Sequence, residues 1–555
     1  TEAVHRVGGK IALQIHHAGR ETNSAITGRQ PVAPSPIPCP VNREIPKELT
    51  VEEIYELIDK FAEAAWRVQK AGFDAVEIHG AHGYLVAQFL SPYSNKRVDE
   101  FGGDLAGRMK FAVELIKRIK EKCGQDYPVI FRISGEERVE GGMGIRDTAA
   151  VAKGLAEAGA DAIHVSTGVY ASLAWTLAPY NVPQGYNLAA AETIKKAVNV
   201  PVIAVGRIVD PLIAESVVAS GIADFVALGR ASLADADFPL KVQQNRIREI
   251  SPCVGCMTRC QGVPGVRPDD RGVSCMVNPF AGHEDTMIIR KTENPKKVFV
   301  VGGGPAGLVA AWVAAARGHQ VILAEKSAQL GGQFLPAAVP PGKQELARAI
   351  RYYIEMCKKY KVDIRLNLEA DASLVESLKP DVVILATGAV PKEMDVPNQG
   401  LSVVQAIDVL SGKAYAGQRN LIVGGGQVGL ETAKYLLNQN RQATIVEMLG
   451  SVGEDMHVHI KHFLFKSLET GGVKILTNTT VKEFKKDGAL CQSDNGEIEL
   501  TGYDMAILAL GSESYNPLER ELRNKVKEVH VIGDAAKARN AVVAIDEGAL
   551  VALEI

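Results

Sequence analysis

The sequence predicts an α/β protein in which a parallel β/α barrel precedes two Rossmann-like nucleotide folds. Three observations support this prediction. Strand-like and helix-like segments alternate over residues 1–245, four cysteines cluster directly afterwards, and a strand leading into a glycine-rich turn occurs twice in the second half. At 555 residues the chain is also too long for a single domain, so several domains are expected.

The first half consists of repeated strand–helix units. Because consecutive parallel strands need helical crossovers, this alternation predicts a parallel sheet, and closure into an eight-stranded TIM barrel is the expected arrangement. An open parallel sheet is the alternative. Six units are visible where a barrel needs eight, so two further units are expected to precede Thr1. The predicted strands span residues 10–17, 74–81, 128–135, 161–168, 201–208 and 224–231.

Helical segments follow the predicted strands. The first helix is expected to begin at Thr50, because Thr50 and Glu53 have the capping-box pattern, in which each side chain hydrogen-bonds to the other's backbone N–H. This pair precedes a run of apolar residues at helical spacing, which predicts one buried helix face. Further helices are expected near residues 104–122, 147–158, 189–198, 210–220 and 235–249.

Polar residues gather at the C-terminal ends of the predicted strands, where TIM barrels place their active sites. A single histidine or arginine there is usually a satisfied structural group, but five of the six strands end this way. The Gly-Arg pairs after the last two strands combine backbone access with positive charge, which predicts a phosphate-binding site. The residues at the strand ends are Gln14, His16, His17, His79, His82, Tyr84, Arg132, Gly206, Arg207, Gly229 and Arg230.

Four cysteines mark the junction between the two halves of the chain. Cys253, Cys256 and Cys260 have the spacing C-x2-C-x3-C, and Cys275 follows after fourteen residues. Four thiolates this close can bind one metal centre, either a structural zinc ion or an iron–sulfur cluster. The nucleotide motifs that follow favour the cluster, because a redox relay has a use there. The scattered cysteines, Cys39, Cys123, Cys357 and Cys491, are expected to be core residues.

The second half contains the same nucleotide-binding motif twice. In each copy, an acidic residue ends the next strand 23 residues after the first glycine of the turn. The glycines admit a pyrophosphate to a helix N-terminus, and the acid binds ribose hydroxyls. Two such folds in tandem predict one flavin and one nicotinamide. The motif residues are Gly302, Gly304, Ala306, Gly307 and Glu325 in the first copy, and Gly424, Gly426, Gly429 and Glu447 in the second.

Several of these motifs together resemble one known family. The stretch that begins His79-Gly-Ala-His82-Gly-Tyr84 and runs through Gly103 resembles the signature of old yellow enzyme-type flavin oxidoreductases. Leu13-Gln14 with Ala18-Gly19-Arg20, and Phe131-Arg132-Ile133-Ser134, match two further motifs. With the cysteines and the second half, the chain resembles the long iron–sulfur subgroup of that family. This subgroup includes 2,4-dienoyl-CoA reductase, enoate reductases, bile-acid enone oxidoreductases and trimethylamine dehydrogenase.

The resemblance implies FMN in the barrel and a [4Fe–4S] cluster at the four clustered cysteines. Gln14 and Arg132 would contact the isoalloxazine ring. The fourteen residues before Cys275 are a few more than in the dienoyl-CoA enzyme, which is a departure from the subgroup pattern. The phosphate would bind at the Gly-Arg pairs, Gly206, Arg207, Gly229 and Arg230.

The second half resembles the FAD- and nicotinamide-binding domains of the disulfide-reductase type. The motifs around Gln333 and Asp534 imply FAD in the first fold, with Asp534 near the ribityl–pyrophosphate region. In the second fold no Arg or Lys follows Glu447 to meet a 2′-phosphate, so NADH is preferred over NADPH. The expected domains are the FMN barrel (1–249), the cluster segment (250–295), the FAD domain (296–417 and 504–555) and the NADH domain (418–503).

These parts together predict an NADH-dependent ene-reductase acting on an activated C=C bond of an enoate, enone or enoyl-CoA. Electrons would pass from NADH through FAD, the [4Fe–4S] cluster and FMN to the substrate. His79 and His82 would hold a substrate carbonyl oxygen and stabilise the enolate charge, and Tyr84 would move the proton at the α-carbon.

Three alternatives remain open at this point. Amine dehydrogenases resembling this stretch carry Tyr where His79 stands, so His79 disfavours that activity. The 2,4-dienoyl-CoA reductases have a catalytic His shortly after the fourth visible strand, but this chain has Tyr170 there and no His. This departure favours an enoate or enone substrate and leaves open whether Tyr170 substitutes for the missing His. An electron-transfer diaphorase is the third alternative.

The composition constrains partners and location. A net charge of −3 gives no general attraction to nucleic acid or anionic membranes. No apolar run reaches the roughly 18 residues that a membrane span needs, and we expect no signal peptide. We expect a cytoplasmic enzyme whose partner is a small unsaturated molecule, with no nucleic acid and no membrane, and homo-oligomer formation left open.

Overall fold

The computed structural model describes residues 1–262 and 272–555, which form two compact units. The first unit comprises Thr1–Ala178 and Val182–Leu228, and the second comprises Pro179–Asn181 and Gly229–Ile555. Residues 229–249 therefore pack with the second unit, although the sequence predicts that they end the barrel domain. The part of the 250–295 cluster segment that covers residues 263–271 lies outside the described residues.

The first unit contains a sheet of six parallel strands that pair in their sequence order. This arrangement confirms the strand–helix alternation predicted from the sequence, although the strands are shorter than predicted at both ends. Among the described residues, the first and last strands pair only with one neighbour each within this sheet. The strands are Ala12–Ile15, Ala75–Gly80, Val129–Ser134, Ala162–Ser166, Val202–Ala204 and Phe225–Val226.

Amphipathic helices connect these strands and cover the sheet. Val51–Lys70 starts with the predicted capping box, since Thr50 Oγ1 accepts from Glu53 N and a Glu53 carboxylate oxygen accepts from Thr50 N. Its buried face includes Ile54, Ile58 and Phe61, which lie at helical spacing. The other connecting helices are Leu85–Leu90, Leu105–Cys123, Ile145–Glu157, Leu188–Ala197 and Pro211–Ala219, and the short ones are Glu2–His5, Ser24–Thr27, Tyr170–Ser172 and Leu173–Thr176.

The prediction of one continuous helix near residues 235–249 is wrong. The structure has a short helix Phe238–Gln243 and one 3-10 turn, Ile247–Glu249. Asn245 between them adopts a left-handed backbone with φ of 54°, which stops a right-handed helix. Gly229–Ala234 is a separate helix directly after the last barrel strand.

The second unit contains two five-stranded parallel sheets, each built around one glycine-rich motif. In the first sheet, Glu528–Val531 pairs with Val382–Leu385, so a strand from near the C-terminus completes the fold that Lys297–Val301 begins. The strand orders are Asp363–Leu366, Gln320–Glu325, Lys297–Val301, Val382–Leu385, Glu528–Val531 in the first sheet, and Ser402–Gln405, Met505–Leu508, Arg419–Val423, Gln442–Val446, Lys474–Leu476 in the second.

Smaller elements complete the second unit. The strands Thr479–Lys485, Gly488–Ser493 and Gly496–Thr501 form an antiparallel sheet, and Ala389–Pro391 pairs with Ser512–Ser514. None of the helices in the described residues combines the length and the hydropathy that crossing a bilayer requires. The helices are Pro305–Arg317, Phe334–Ala337, Leu346–Lys359, Ala372–Leu378, Ala406–Leu410, Gln427–Leu437, Val458–Thr470, Glu519–Leu522, Gly533–Ala535 and Ala541–Glu554.

Candidate active site

A row of three polar residues crosses neighbouring barrel strands. His79 is the register partner of Arg132, and Arg132 is the partner of His164. Partners in a parallel sheet project from the same face, so the three side chains lie side by side. His79 and His164 are buried. The sequence predicts that polar residues at the strand ends lie close together, and this is correct for His79 and Arg132.

His79 and His82 form the centre of a hydrogen-bond chain. His79 Nδ1 accepts from the backbone N–H of Ala81 at 3.3 Å, which leaves the ring's proton on Nε2 when His79 is neutral. His79 Nε2 lies 3.3 Å from His82 Nδ1, and His82 Nε2 lies 2.6 Å from Ser166 Oγ. The two facing nitrogens therefore lie close enough to bind one oxygen atom together.

Burial keeps both histidines neutral. It lowers the pKa of His79 to about 3, and the nearby Arg132 charge adds to this shift. The pKa of His82 is also lowered, by burial and then by Arg132. Neutral rings can donate hydrogen bonds to a carbonyl oxygen but bring no net charge.

A tight turn presents His82 and Tyr84. His82 adopts a left-handed backbone with φ of 61°, and its N–H donates to Ser134 Oγ at 2.9 Å. Gly83 follows with φ of 85°, a left-handed backbone that favours glycine over residues with a side chain. The short helix Leu85–Leu90, buried along its whole length, starts directly after Tyr84 and anchors the turn.

Tyr84 lies against His79 and Tyr170. The rings of Tyr84 and His79 are 4.8 Å apart between centroids, and His16 lies 4.9 Å from Tyr84. The hydroxyls of Tyr84 and Tyr170 are 3.2 Å apart, within hydrogen-bond distance. Burial raises the pKa of Tyr170 above its ordinary value. The three predicted catalytic residues, His79, His82 and Tyr84, therefore form one cluster, and Tyr170 is a further member. His17 has a different contact, because its ring accepts a hydrogen bond from Gly19 N.

Glu77 lies below this cluster and connects three other residues. Its Oε1 accepts from Gln14 Nε2 at 2.5 Å, and its Oε2 lies 2.8 Å from His164 Nδ1. Arg132 Nε and His164 Nε2 are buried without a hydrogen-bond partner. Buried polar atoms rarely stay unpaired, so these atoms indicate a missing polar ligand. A flavin ring, with its several carbonyl and ring-nitrogen groups, fits this set.

The Gly-Arg pairs differ in their surroundings. Gly206 and Arg207 both have positive φ, at 147° and 51°, and the buried Arg207 donates to the backbone carbonyl of Val182. Gly229 opens a helix, and nothing lies within 4 Å of where its Cβ would be. Arg230 Nη1 lies 3.0 Å from Met257 Sδ and lines the cysteine cavity. The phosphate role of these four residues stays a prediction.

The four clustered cysteines line one cavity together with Arg230 and Met276. Burial raises the pKa of Cys256, of Cys260 to about 12, and of Cys275, so without a metal these thiols stay protonated. Within residues 1–262 and 272–555, no three His, Cys, Asp or Glu side chains converge as the ligands of one ion. Four cysteines around one cavity are a donor set that suits a sulfur-liganded metal centre.

The first nucleotide turn requires glycine at two positions and is open at a third. Gly302 has φ of 106°, and a Cβ there would lie 2.3 Å from the Ala386 carbonyl, so only glycine fits. Gly304 faces open space, as a ligand-binding position requires. Glu325 Oε2 accepts from Gly303 N at 2.8 Å. Gly307 lets the helix that contains Ala306 approach the turn, since its Cβ would lie 2.0 Å from the Gly302 carbonyl.

The second turn repeats this geometry. Gly424 has φ of 111° with a Cβ position 2.4 Å from the Ala509 carbonyl, and a Gly429 Cβ would lie 2.0 Å from the Gly424 carbonyl. The buried Glu447 accepts from Gly425 N at 2.6 Å. One feature differs from the first copy. The Asp455 carboxylate accepts from Gln427 N at 3.1 and 3.2 Å, at the N-terminus of the helix, and lies near Gly426.

One cavity of about 1730 Å³ is lined by most of the predicted FAD residues of the second unit. Its lining includes Gly302, Glu325, Gln333 and Asp534, and it reaches Cys256. Burial raises the pKa of Asp534, whose Oδ1 accepts from Arg539 N. A dinucleotide such as FAD fits a cavity of this size and polarity.

Sequence reasoning missed four residues of the barrel site. Glu77, His164, Ser134 and Ser166 lie in predicted strands, where polar residues at interior positions are the only local signal. Glu77 interrupts the apolar run Ala75-Val76 and stands two residues before His79, on the same face of the strand. That pattern could have identified Glu77 as part of the site.

Comparisons with known proteins agree with this geometry. Residues 1–249 match the profile of the NADH:flavin oxidoreductase / NADH oxidase family, and residues 296–548 match that of the pyridine nucleotide-disulphide oxidoreductases. An NADH oxidase from Thermoanaerobacter brockii is 43% identical over 563 residues, which cover 100% of this chain and 86% of the relative. The chain belongs to the NADH:flavin oxidoreductase family.

Two further relatives of this NADH:flavin oxidoreductase act on unsaturated compounds by name. A cinnamate reductase from Clostridium sporogenes is 38% identical over 569 residues, covering 98% of this chain and 84% of the relative. The structure of a 2-naphthoyl-CoA reductase in complex with 2-naphthoyl-CoA has a TM-score of 0.94 at 30% identity, covering 100% of this chain and 86% of that one. The predicted family, fold class and oxidoreductase activity are confirmed, as are flavin and NADH as cofactors.

Proposed function

We propose that this protein reduces an activated C=C bond of an enoate, enone or enoyl-CoA with electrons from NADH. The observation that carries the proposal is the contact between Tyr84 and His79, beside the His79–His82 pair whose facing nitrogens are 3.3 Å apart. One pocket therefore holds two histidine rings that can bind an oxygen atom and one tyrosine hydroxyl that can supply a proton. These are the requirements of conjugate reduction.

The histidines bind the substrate's carbonyl oxygen. His79 Nε2 carries a hydrogen that faces His82. His82 Nδ1 can carry one too when the Ser166 hydroxyl donates to His82 Nε2. A substrate oxygen held between the two rings would accept from both N–H groups and replace the His79–His82 contact. As the alkene is reduced, negative charge develops on this oxygen, and two donors in a buried site stabilise it more than they stabilise the neutral carbonyl.

Tyr84 supplies the proton to the α-carbon. Its ring packs edge-on against His79, so its hydroxyl belongs to the pocket that holds the carbonyl. Tyr170 OH, 3.2 Å away, is the partner that orients the Tyr84 hydroxyl. The sequence lacks the His that 2,4-dienoyl-CoA reductases carry in this region, so we assign Tyr170 to orientation and favour enoates and enones over dienoyl-CoA esters.

The cofactor residues divide between the two units. Gln14, Arg132 and Arg207 would hold FMN, whose ring supplies the hydride when bound. The motif of Gly302 and Glu325 would hold FAD, and that of Gly424 and Glu447 would hold NADH. The four cysteines would hold a [4Fe–4S] cluster, because each thiolate then binds a different iron and the thiolates need not converge on one ion.

Cysteine chemistry supports a cytoplasmic location. All eight cysteines of the chain are free thiols in the structure, which suits a reducing compartment. The proposed partner is a small unsaturated molecule, without nucleic acid or membrane.

Anaerobic stopped-flow spectroscopy tests the proposed activity. The holoenzyme is reduced with NADH and mixed with an enone, an enoate, an enoyl-CoA or a tertiary amine, while flavin absorbance is followed. The proposal expects fast flavin reoxidation by at least one unsaturated compound and none by the amine. In a separate experiment the amine is mixed with oxidised enzyme without NADH. If the amine reduces the flavin and no alkene is turned over, the protein is an amine dehydrogenase and the proposal is wrong.

Metal analysis tests the cluster assignment separately. Anaerobically purified protein should contain about four iron and four acid-labile sulfide per chain. Stoichiometric zinc without sulfide would refute the cluster.

A further inference from the structure

We propose that Glu77 positions the barrel side chains that would contact FMN. It fixes the orientation of Gln14 and the tautomer of His164, and its charge lies beside Arg132. The inference rests on the proposed FMN site. It assigns Glu77 no contact with substrate, and it gives the carboxylate a role in flavin affinity and reduction potential.

The carboxylate determines which end of the Gln14 amide faces the cofactor. An ionised carboxylate only accepts hydrogen bonds, so the Gln14 group 2.5 Å from Glu77 Oε1 must be the amide nitrogen. The amide oxygen of Gln14 therefore points away from Glu77 and is available as an acceptor. The isoalloxazine ring offers one suitable donor, the N3–H of its pyrimidine edge.

The same carboxylate sets the tautomer of His164. With Glu77 Oε2 2.8 Å from its Nδ1, His164 keeps a hydrogen on Nδ1, and its buried Nε2 is the atom without a partner. The neighbouring Arg132 has an unpartnered buried Nε. Glu77 therefore binds Gln14 through one carboxylate oxygen and His164 through the other. The buried Arg132 Nε and His164 Nε2 remain available to a ligand.

The ionisation of Glu77 is favourable despite burial. Burial alone would raise its pKa, but the hydrogen bond from His164 and the charge of Arg132 outweigh that effect and lower the pKa. The carboxylate therefore stays negative at neutral pH. A largely buried negative charge beside a bound flavin would disfavour the reduced flavin, which carries more negative charge than the oxidised one.

Three variants test the inference. Glu77→Gln keeps the size and removes the charge, Glu77→Asp keeps the charge and shortens the reach, and Gln14→Leu removes one of the two residues through which Glu77 acts. Glu56→Gln, on the exposed face of the helix Val51–Lys70, is the matched control. Far-UV circular dichroism identifies variants that retain the fold.

Two readouts do not depend on turnover. The first is the Kd of FMN for FMN-depleted protein, measured by flavin fluorescence, and the second is the midpoint potential of the FMN couple. For Glu77→Gln we expect a Kd about tenfold higher, the effect of one charge-assisted hydrogen bond, and a more positive potential. Sulfite, which forms an anionic flavin adduct, should bind Glu77→Gln more tightly. Glu77→Asp should raise the Kd while keeping the wild-type potential.

A double-mutant cycle separates positioning from general stability. In the Gln14→Leu background, Glu77→Gln should raise the FMN Kd by a smaller factor than in the wild-type background, because one of the two contacts of Glu77 is already lost. Additive effects, or a Glu77→Gln enzyme with wild-type Kd and potential, would overturn the role of Glu77 and leave the FMN site intact. Wild-type holoenzyme whose barrel takes up no FMN would instead refute the proposed function and this inference with it.

Discussion

The hydroxyl of Tyr84 lies 3.2 Å from the hydroxyl of Tyr170, although the two residues are 86 positions apart in the chain. Tyr84 follows the second barrel strand, and Tyr170 opens a 3-10 turn after the fourth. A parallel bridge between His82 and Val169 brings the two segments together. Under the proposed function, this contact lets Tyr170 orient the hydroxyl of Tyr84.

Tyr170→Phe should therefore slow alkene reduction without stopping it. The variant removes the hydrogen-bond partner of Tyr84 but leaves the donor itself, so we expect a loss of about three- to tenfold, the effect of one neutral hydrogen bond. Stopped-flow reoxidation of the reduced enzyme measures it. Tyr55→Phe, at a distant surface contact with Glu100, is the control. A wild-type rate for Tyr170→Phe would show that Tyr170 only lines the pocket.

The rate of alkene reduction should show no histidine titration near pH 6.5. His79 has a pKa lowered to about 3, so above pH 5 the ring is already neutral and acidification from pH 8 to 5 leaves it unchanged. Binding of a neutral enone should be constant over this range. An inflection near pH 6.5 that disappears in His79→Asn, but persists in a variant of the exposed His462, would show that the charged ring acts.

Asp455→Asn should tighten NADH binding. The carboxylate occupies the N–H of Gln427 at the helix N-terminus and would repel the pyrophosphate that binds there. Removing one charge near a helix terminus changes binding by about 0.3–1 kcal/mol, so Kd should fall about two- to fivefold. Rapid-reaction titration of flavin reduction gives Kd, with exposed Asp494→Asn as control. Weaker binding in Asp455→Asn would show that the carboxylate helps to hold the nucleotide.

A buried ion pair predicts a stability effect in the second unit. Lys343 Nζ lies 2.6 Å from Glu431 Oε2, and Tyr180 OH donates to Glu431 Oε1 at 3.0 Å, with all three residues buried. Lys343→Met leaves an uncompensated buried carboxylate and should destabilise the protein by about 3–5 kcal/mol. Thermal unfolding midpoints measure the loss.

Two further variants decide whether the charge is responsible. Adding Glu431→Leu to Lys343→Met should recover most of the lost stability, because no unpaired charge remains. Lys196→Met, which breaks the exposed pair with Glu192, should change stability by less than about 0.5 kcal/mol. A double variant as unstable as Lys343→Met would show that packing, and not charge, matters at this site.

Local rules explain why much of the fold could be predicted. The capping box at Thr50 and the glycines at Gly302 and Gly424 depend on a few neighbouring atoms. At Gly302 and Gly424 the φ angle is positive, and a Cβ would lie 2.3 or 2.4 Å from a backbone carbonyl. Only glycine fits there, so the sequence itself shows this constraint. The predicted helix over 235–249 failed for a related reason, since one residue, Asn245, interrupts a helical composition.

The missed site residues depend on strand register, which the sequence does not show. Glu77 meets His164 across 87 positions, and His82 meets Ser166 across 84. Each residue alone resembles an ordinary polar group in a strand. Only when strands pair in the observed register do Gln14, Glu77 and His164 form one network. The sequence therefore led to His79, His82 and Tyr84, while the partners of Glu77 and His82 on other strands became visible only in the structure.

Comparing the two half-reactions of Tyr84→Phe tests the central claim most directly. The claim makes Tyr84 the donor of the α-proton, while the histidines hold the oxygen. Tyr84→Phe holoenzyme should be reduced by NADH at the wild-type rate, bind the enone with near wild-type affinity, and reoxidise about 10²–10⁴-fold more slowly, as expected for a lost general acid. Unchanged reoxidation, or equal slowing of both half-reactions with loss of FMN, would contradict the account.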